Sequence, residues 1–318
     1  MGLHRFIRPS RNHPTPVNGK NSVASRGADV LALPRKRLPG RRQHNRRQRT
    51  WAHRPFFCEA MLDLEFLHNR LSTLSLGHPI HYQYQVTSTQ DVAREKALRG
   101  AEEGLLVLAE EQTAGRGRAG RTWWSPPGTA ILSSLLLRPQ LPPTHLGYIG
   151  MIAGLAVIDA LTDLPGLEPT LKWPNDILLH GKKLGGILVE SLWEGDELDA
   201  LILGLGLNVN TYFPPTHPLA GEATSIFMET GHPCAREPLI YAYVFHLSEY
   251  YHRIHQGWSP VPLWKEHLET LGQRVWVDEG HTRWEGIAED VTETGELVLR
   301  RDGERVLLRV GDVRVRHR

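Results

Sequence analysis

The sequence holds two cysteines in 318 residues, Cys58 and Cys234, too few for a disulfide framework or a sulfur-rich metal cluster. Its seventeen histidines are scattered, with no H-E-x-x-H pair and no Cys/His grouping of zinc-ligand spacing. No strictly apolar run approaches the roughly 20 residues that a bilayer-spanning helix needs. Acidic side chains are nearly missing from one end: residues 1–58 carry fourteen Lys or Arg against the single Asp29, about +13, while the remainder carries about −11. These shortages argue against a disulfide scaffold, a zinc enzyme and a membrane protein. The expectation is a soluble cytoplasmic protein built from two unlike stretches.

The basic stretch, typified by "RKRLPGRRQHNRRQRTWAHR", has no apolar periodicity and cannot bury enough surface to offset the entropy of ordering. Residues 1–58 therefore read as a disordered extension. They could be a nucleic-acid-binding arm, a targeting peptide, or an addition foreign to the working protein. Met61 opens a helical stretch, "MLDLEFLHNRLSTL", which keeps the third explanation in play.

From Ile80 the pattern alternates. "IHYQYQV" reads as a strand and "STQDVAREKALRG" as a helix capped by Ser88 or Thr89. "TAILSSLLLRP" reads as a buried strand and "THLGYIGMIAGLAVIDALTDL" as a central helix. "LKWPNDILLHGKKLGGILVESLW" folds back at His180-Gly181, "LDALILGLGLNVN" is a further strand, and a helical segment runs from about Pro238 to Leu271. The last 45 or so residues are short alternating strands with an Asp302-Gly303 turn, the spacing of a small β-barrel.

"EEQTAGRGRAGRTWWSPPGT" contains two phosphate signatures at once. "GRGRAG" fits G-x-G-x-x-G, and "GRGRAGRT" misses the P-loop pattern only at Arg121. Both need a helix directly after the glycines to supply amides and a dipole. Here two prolines and a glycine follow within eight residues, so no helix fits. What remains is a loop of three glycines, three arginines and two tryptophans. A solvated basic loop would explain the charge but would leave Trp123 and Trp124 in water without a purpose. A loop that closes over an anion explains both.

Three further segments could join it. "KWPNDILLHGKKLGGILVE" sets Lys172, Asn175, Asp176 and Lys183 around a hairpin whose return strand carries Gly185 and Gly186; an exposed lysine pair and a bulge are the plainer account. "GLGLNVN" ends a strand with Asn208 and Asn210, and "TSTQD" offers hydroxyls and an amide where a simple helix cap would also suffice. Together they describe positive charge and amides around a glycine-lined slot, suited to an anionic, mostly apolar small molecule and to phosphates.

In this order, "STQD", "EEQTAGRGRAGRTWWSP", "SSLLLRP", "KWPNDILLHGKKLGGILVE" and "GLGLNVN" resemble the biotin-protein ligases, from about Ile80 to the C-terminus. The resemblance implies an α+β fold: a mixed β-sheet packed with helices over 59–271, then a small SH3-like β-barrel over 272–318. It implies a two-step reaction, in which biotin attacks ATP, brought as its Mg²⁺ complex, to give biotinyl-5′-AMP. A lysine of a carboxylase biotin carrier domain then takes the biotin. By resemblance, Lys183, Arg118 and Asp176 are catalytic. Ser88, Thr89, Gln90, Gln112, Arg116, Gly117 and Gly186, with Arg118 and Lys183, hold biotin. Arg121, Trp123, Asn175 and Asn208, again with Arg118 and Lys183, hold the nucleotide, and no protein metal site is expected.

One position departs, since the family usually has "STN" where this chain has Ser88-Thr89-Gln90. Many bacterial members carry a winged helix-turn-helix and repress transcription, but residues 1–58 show no pattern for it, so DNA binding is not expected. Members occur as monomers and as homodimers. A biotin-sensing regulator and a same-fold lipoate or octanoate ligase are the competing readings.

Overall fold

The computed structural model describes residues 61–318 apart from 163, 280–281, 310–311 and 316–318. The basic extension expected over 1–58 lies outside the described residues, which belong to one compact unit, Pro55–Arg318.

Seven strands form the main sheet: β1 (Ile80–Val86), β2 (Leu106–Gln112), β3 (Ala130–Leu137), β4 (Pro169–Lys172), β5 (Asp176–Leu179), β6 (Lys182–Glu194) and β7 (Glu197–Asn208). Their order is β1-β2-β3-β7-β6-β5-β4. β1 and β2 run parallel and every other neighbouring pair antiparallel, so the sheet is mixed as expected. The parallel pair is bridged by α2 (Thr89–Leu98), the crossover that parallel neighbours require. Ser88 caps it, its Oγ accepting from the Gln90 N–H at 3.3 Å.

The other helices are α1 (Leu64–Leu71), α3 (Tyr148–Thr162), α4 (Ile226–Thr230), α5 (Arg236–His255) and α6 (Val261–Glu266). The single helical segment expected over 238–271 is two helices, because Gly257 at φ +85° and Pro260 interrupt it. α3 is apolar on nearly all sides, and most of it is buried against α5 and the sheet. That face holds the large core, including Leu135, Leu203 and Leu205. The opposite face carries a smaller cluster in which Ala93 and Ala97 of α2 meet Leu136 and Ile202.

A five-stranded antiparallel sheet follows: β8 (Arg274–Glu279), β9 (Thr282–Val291), β10 (Leu297–Arg301), β11 (Glu304–Leu308) and β12 (Asp312–Val315), in the order β11-β10-β9-β8-β12. The Asp302-Gly303 turn joins β10 to β11 with both residues at positive φ. Val275, Ala288 and Leu297 of this barrel-like sheet belong to the same core as α3.

Candidate active site

The free half of the α2 face is a cleft of about 930 Å³. Every site residue expected above lines it: Ser88, Thr89, Gln90, Gln112, Arg116, Gly117, Arg118, Arg121, Trp123, Asn175, Asp176, Lys183, Gly186 and Asn208. Gln273, just before β8, and Val313 of β12 contribute to the same wall. Among the described residues no group of three His, Cys, Asp or Glu side chains is placed to hold a metal ion.

The floor is made by glycines on β6 and β7. Gly186 and Gly206 are cross-strand partners, and the Trp123 indole lies on them. A Cβ at Gly206 would stand 2.6 Å from Trp123 Cε2, so an aromatic ring rests here only because the strand lacks a side chain. The Trp123 indole N–H is buried without a partner.

One end of the cleft is polar and uncharged. Gln112 Oε1 accepts from the Thr89 N–H (2.8 Å), Thr89 Oγ1 (3.1 Å) and Ser88 Oγ (3.3 Å). Because its oxygen is committed to these donors, the Gln112 NH₂ is the end left for a ligand acceptor. Gly115 covers that amide: a Cβ there would lie 2.9 Å from Gln112 Nε2 and 2.7 Å from the Trp123 carbonyl.

The other end is charged. Lys183 Nζ lies 2.6 Å from Asp176 Oδ1. Its backbone is clamped as well, the Lys183 N–H donating to the Glu222 carbonyl (2.8 Å) and its carbonyl accepting from the Thr224 N–H (2.9 Å). The hairpin turns at His180 and Gly181, both at positive φ. On the return strand Leu184 is an extra residue, since Ile177 faces Gly185 and Leu178 faces Lys183, so the bulge is real and sits beside the lysine.

The glycine loop forms a small hairpin of its own. Gly117 N–H donates to the Arg121 carbonyl (2.7 Å) and Trp123 N–H to the Gly115 carbonyl (2.9 Å), with Ala119 and Gly120 left-handed at the tip. Its one helical turn, the 3₁₀ turn Arg118–Gly120, lies within the loop and the next element is β3, which disposes of both nucleotide-fold signatures. Arg118 points inward: its Nη1 donates to Asn175 Oδ1 at 3.3 Å, and burial pushes its pKa below the ordinary value against the opposing pull of Asp176. Arg116 turns the other way, to Asp91 of α2 (2.5 Å) and Glu190 of β6 (3.3 Å), and ties the loop to the cleft rim. Arg121 is exposed at the rim.

Asn208 Nδ2 donates to the Thr224 carbonyl, leaving Oδ1 buried and unpartnered at the cleft. Asn210, by contrast, exchanges both amide bonds with the Cys234 backbone and is a brace. Residue-by-residue reading missed Gly204, Gly206 and the 213–223 segment, although the alternation in "GLGLN" already places two side-chain-free positions on one strand face.

A mixed sheet whose glycine floor carries an uncharged polar pocket at one end and a lysine, arginine and carboxylate at the other forms a cleft suited to an anionic small molecule and a phosphate-bearing partner. The chain belongs to the biotin/lipoate A/B protein ligase family, whose model matches residues 82–208. It is 31% identical over 239 residues to the biotin–acetyl-CoA-carboxylase ligase of Paracoccus denitrificans, covering 71% of this chain and 97% of that one. It is 34% identical to the bifunctional ligase/repressor BirA of Bacillus subtilis, covering 72% and 71%. The biotin protein ligase of Aquifex aeolicus in complex with biotin and ATP superposes with a TM-score of 0.65 at 26% identity, covering 76% of this chain and all of that one.

Proposed function

We infer that the chain is a biotin-protein ligase and that this cleft is its active site. The single observation that carries the assignment is the polarity of the cleft: Gln112, Thr89 and Ser88 meet at one end with no charge, and Lys183, Asp176 and Arg118 meet at the other. A bicyclic urea with a carboxylate tail fits that gradient, its ring at the amide end and its carboxylate at Lys183. ATP arrives as its Mg²⁺ complex over Trp123 and Asn208. One biotin carboxylate oxygen attacks the α-phosphorus, the bond to pyrophosphate breaks, and biotinyl-5′-AMP forms. Two anions meet in that step, so a fixed ammonium at Lys183 lowers the repulsion where charge develops.

In the second step the ε-amine of a lysine on a carboxylase biotin carrier domain attacks the mixed anhydride, AMP leaves, and the amine loses a proton. In this reading Asp176 receives that ammonium group. We place the activity in the cytoplasm, where acetyl-CoA carboxylase supplies the acceptor. The ligase reading is preferred to a repressor because the match to the Paracoccus ligase spans nearly all of that protein.

The test is incubation with ATP, Mg²⁺, biotin and a biotin carrier domain, with intact mass read for the carrier. One biotin on one lysine is expected, and excess lipoate or octanoate leaves it unchanged. Modification by lipoate and not by biotin would overturn the substrate assignment.

A further inference from the structure

Behind the uncharged end of the cleft, Ser134 of β3, Gly204 of β7 and Leu188 of β6 stand in one cross-strand row. The side-chain amide of Gln90, from the first turn of α2, lies flat across this row. Its Oε1 accepts from Ser134 Oγ at 2.9 Å, and its Nε2 donates to the Leu188 carbonyl at 3.3 Å and, more weakly, to that of Ile202 at 3.5 Å. Gly204 lies directly beneath: a Cβ there would meet Gln90 Cδ at 3.1 Å, Oε1 at 3.2 Å and Nε2 at 3.4 Å. Gln90 is 4% exposed and Ser134 wholly buried, so the amide has no free direction in which to retreat.

The same hydroxyl reaches the pocket. Ser134 Oγ is 2.9 Å from Thr89 Oγ1, which is 3.1 Å from Gln112 Oε1. Gln112 Oε1 accepts the Thr89 N–H, and Gln90 Oε1 faces Ser134 because its Nε2 faces carbonyls, so both ends of this row are acceptors. Two hydroxyl protons therefore serve three oxygen–oxygen contacts. When Ser134 donates to Gln90 and Thr89 to Gln112, Thr89 Oγ1 keeps a lone pair for a ligand N–H. Without the Gln90 carbonyl, the Ser134 proton turns to Thr89 and fills that lone pair.

We propose that Gln90 is a positioning residue for biotin, acting through Ser134 and Thr89, and that Gly204 is its obligatory counterpart. The length of the side chain at 90 and the missing side chain at 204 together set the biotin end of the cleft. The proposal rests on the reading that Ser88, Thr89 and Gln112 receive the biotin ring.

The test is a double-mutant cycle of Gln90→Asn and Gly204→Ala, with KM for biotin and for ATP from pyrophosphate exchange and melting temperature in parallel. Gly204→Ala raises the biotin KM about tenfold, the range of coupling between residues in direct contact, and leaves the ATP KM within about twofold. In the Gln90→Asn background, where the shorter amide leaves room for the methyl group, the same change costs much less. Additive effects, or equal losses for both substrates that track the melting temperature, would overturn the proposal. If Gly204→Ala does not fold, Gln90→Met decides: at nearly the same length it removes the carbonyl that holds the Ser134 proton, which then turns to Thr89, so an unchanged biotin KM there also refutes it. A wild-type protein with no biotin-dependent exchange would instead sink the ligase reading itself.

Discussion

Lys183 and Asp176 form an ion pair 2.6 Å long between the start of β6 and the start of β5, seven residues apart across the hairpin. Its members have different tasks in the proposed reaction, which makes them separable. Lys183→Ala is expected to lower pyrophosphate exchange on the order of 10² to 10³, the usual cost of losing one preorganised charge contact. Asp176→Asn should keep exchange within about tenfold yet slow transfer to the carrier far more, since only the second step needs an acceptor for an ammonium group. Equal losses in both assays for Asp176→Asn would contradict this division.

Arg118 should behave as a retention group. Its Nη1 bond to Asn175 Oδ1 joins the glycine loop to the hairpin, so Arg118→Gly loosens closure while sparing Lys183. Adenylate should still form but escape, and bystander proteins mixed into the assay should become biotinylated. Absence of adenylate at saturating biotin and ATP would show that Arg118 is needed for chemistry.

Trp173 ties the "KWPND" segment to the terminal sheet, its indole N–H donating to the Gly295 carbonyl at 2.9 Å. Trp173→Phe keeps most of the ring and removes the donor, and should lower stability by about 1 kcal/mol in urea unfolding. Ending the chain near residue 271 should be far worse. Val275, Ala288 and Leu297 share a core with α3, so that truncation is expected to lose the near-UV signal of the large domain as well as ATP use. A well-folded truncation would show the two sheets to be independent.

At the N-terminal side, the Leu62 N–H donates to the buried Glu110 Oε1 at 2.8 Å, and Glu110 also pairs with Arg236 at 2.6 Å. A chain starting at Met61 should therefore keep full ligase activity. One starting at Leu64 leaves a buried carboxylate short of a donor and should be about 1–3 kcal/mol less stable. Loss of activity already on removing residues 1–60 would assign that stretch a role.

The amino-acid pattern alone determined most of the strands, the helices α2 and α3, and which residues carry charge to the site. Ser88 before an amphipathic run, His180-Gly181 between two apolar runs and Pro126-Pro127 after the glycine loop act within a few residues, and local sterics settle them whatever the rest of the chain does. The family resemblance named fourteen of the residues that line the cleft and passed over Gly204, Gly206 and the 213–223 segment. Only the tertiary structure decided what those residues do to one another. That Arg116 faces out to Asp91 and Glu190 while Arg118 faces in depends on how the loop folds back on itself. That Gln90 fits depends on strand register, which sets Gly204 beneath it and Ser134 beside it, residues 114 and 44 positions away. Contacts of such separation leave no periodic trace in a single sequence, because the space a side chain needs is made by the absence of another on a different strand.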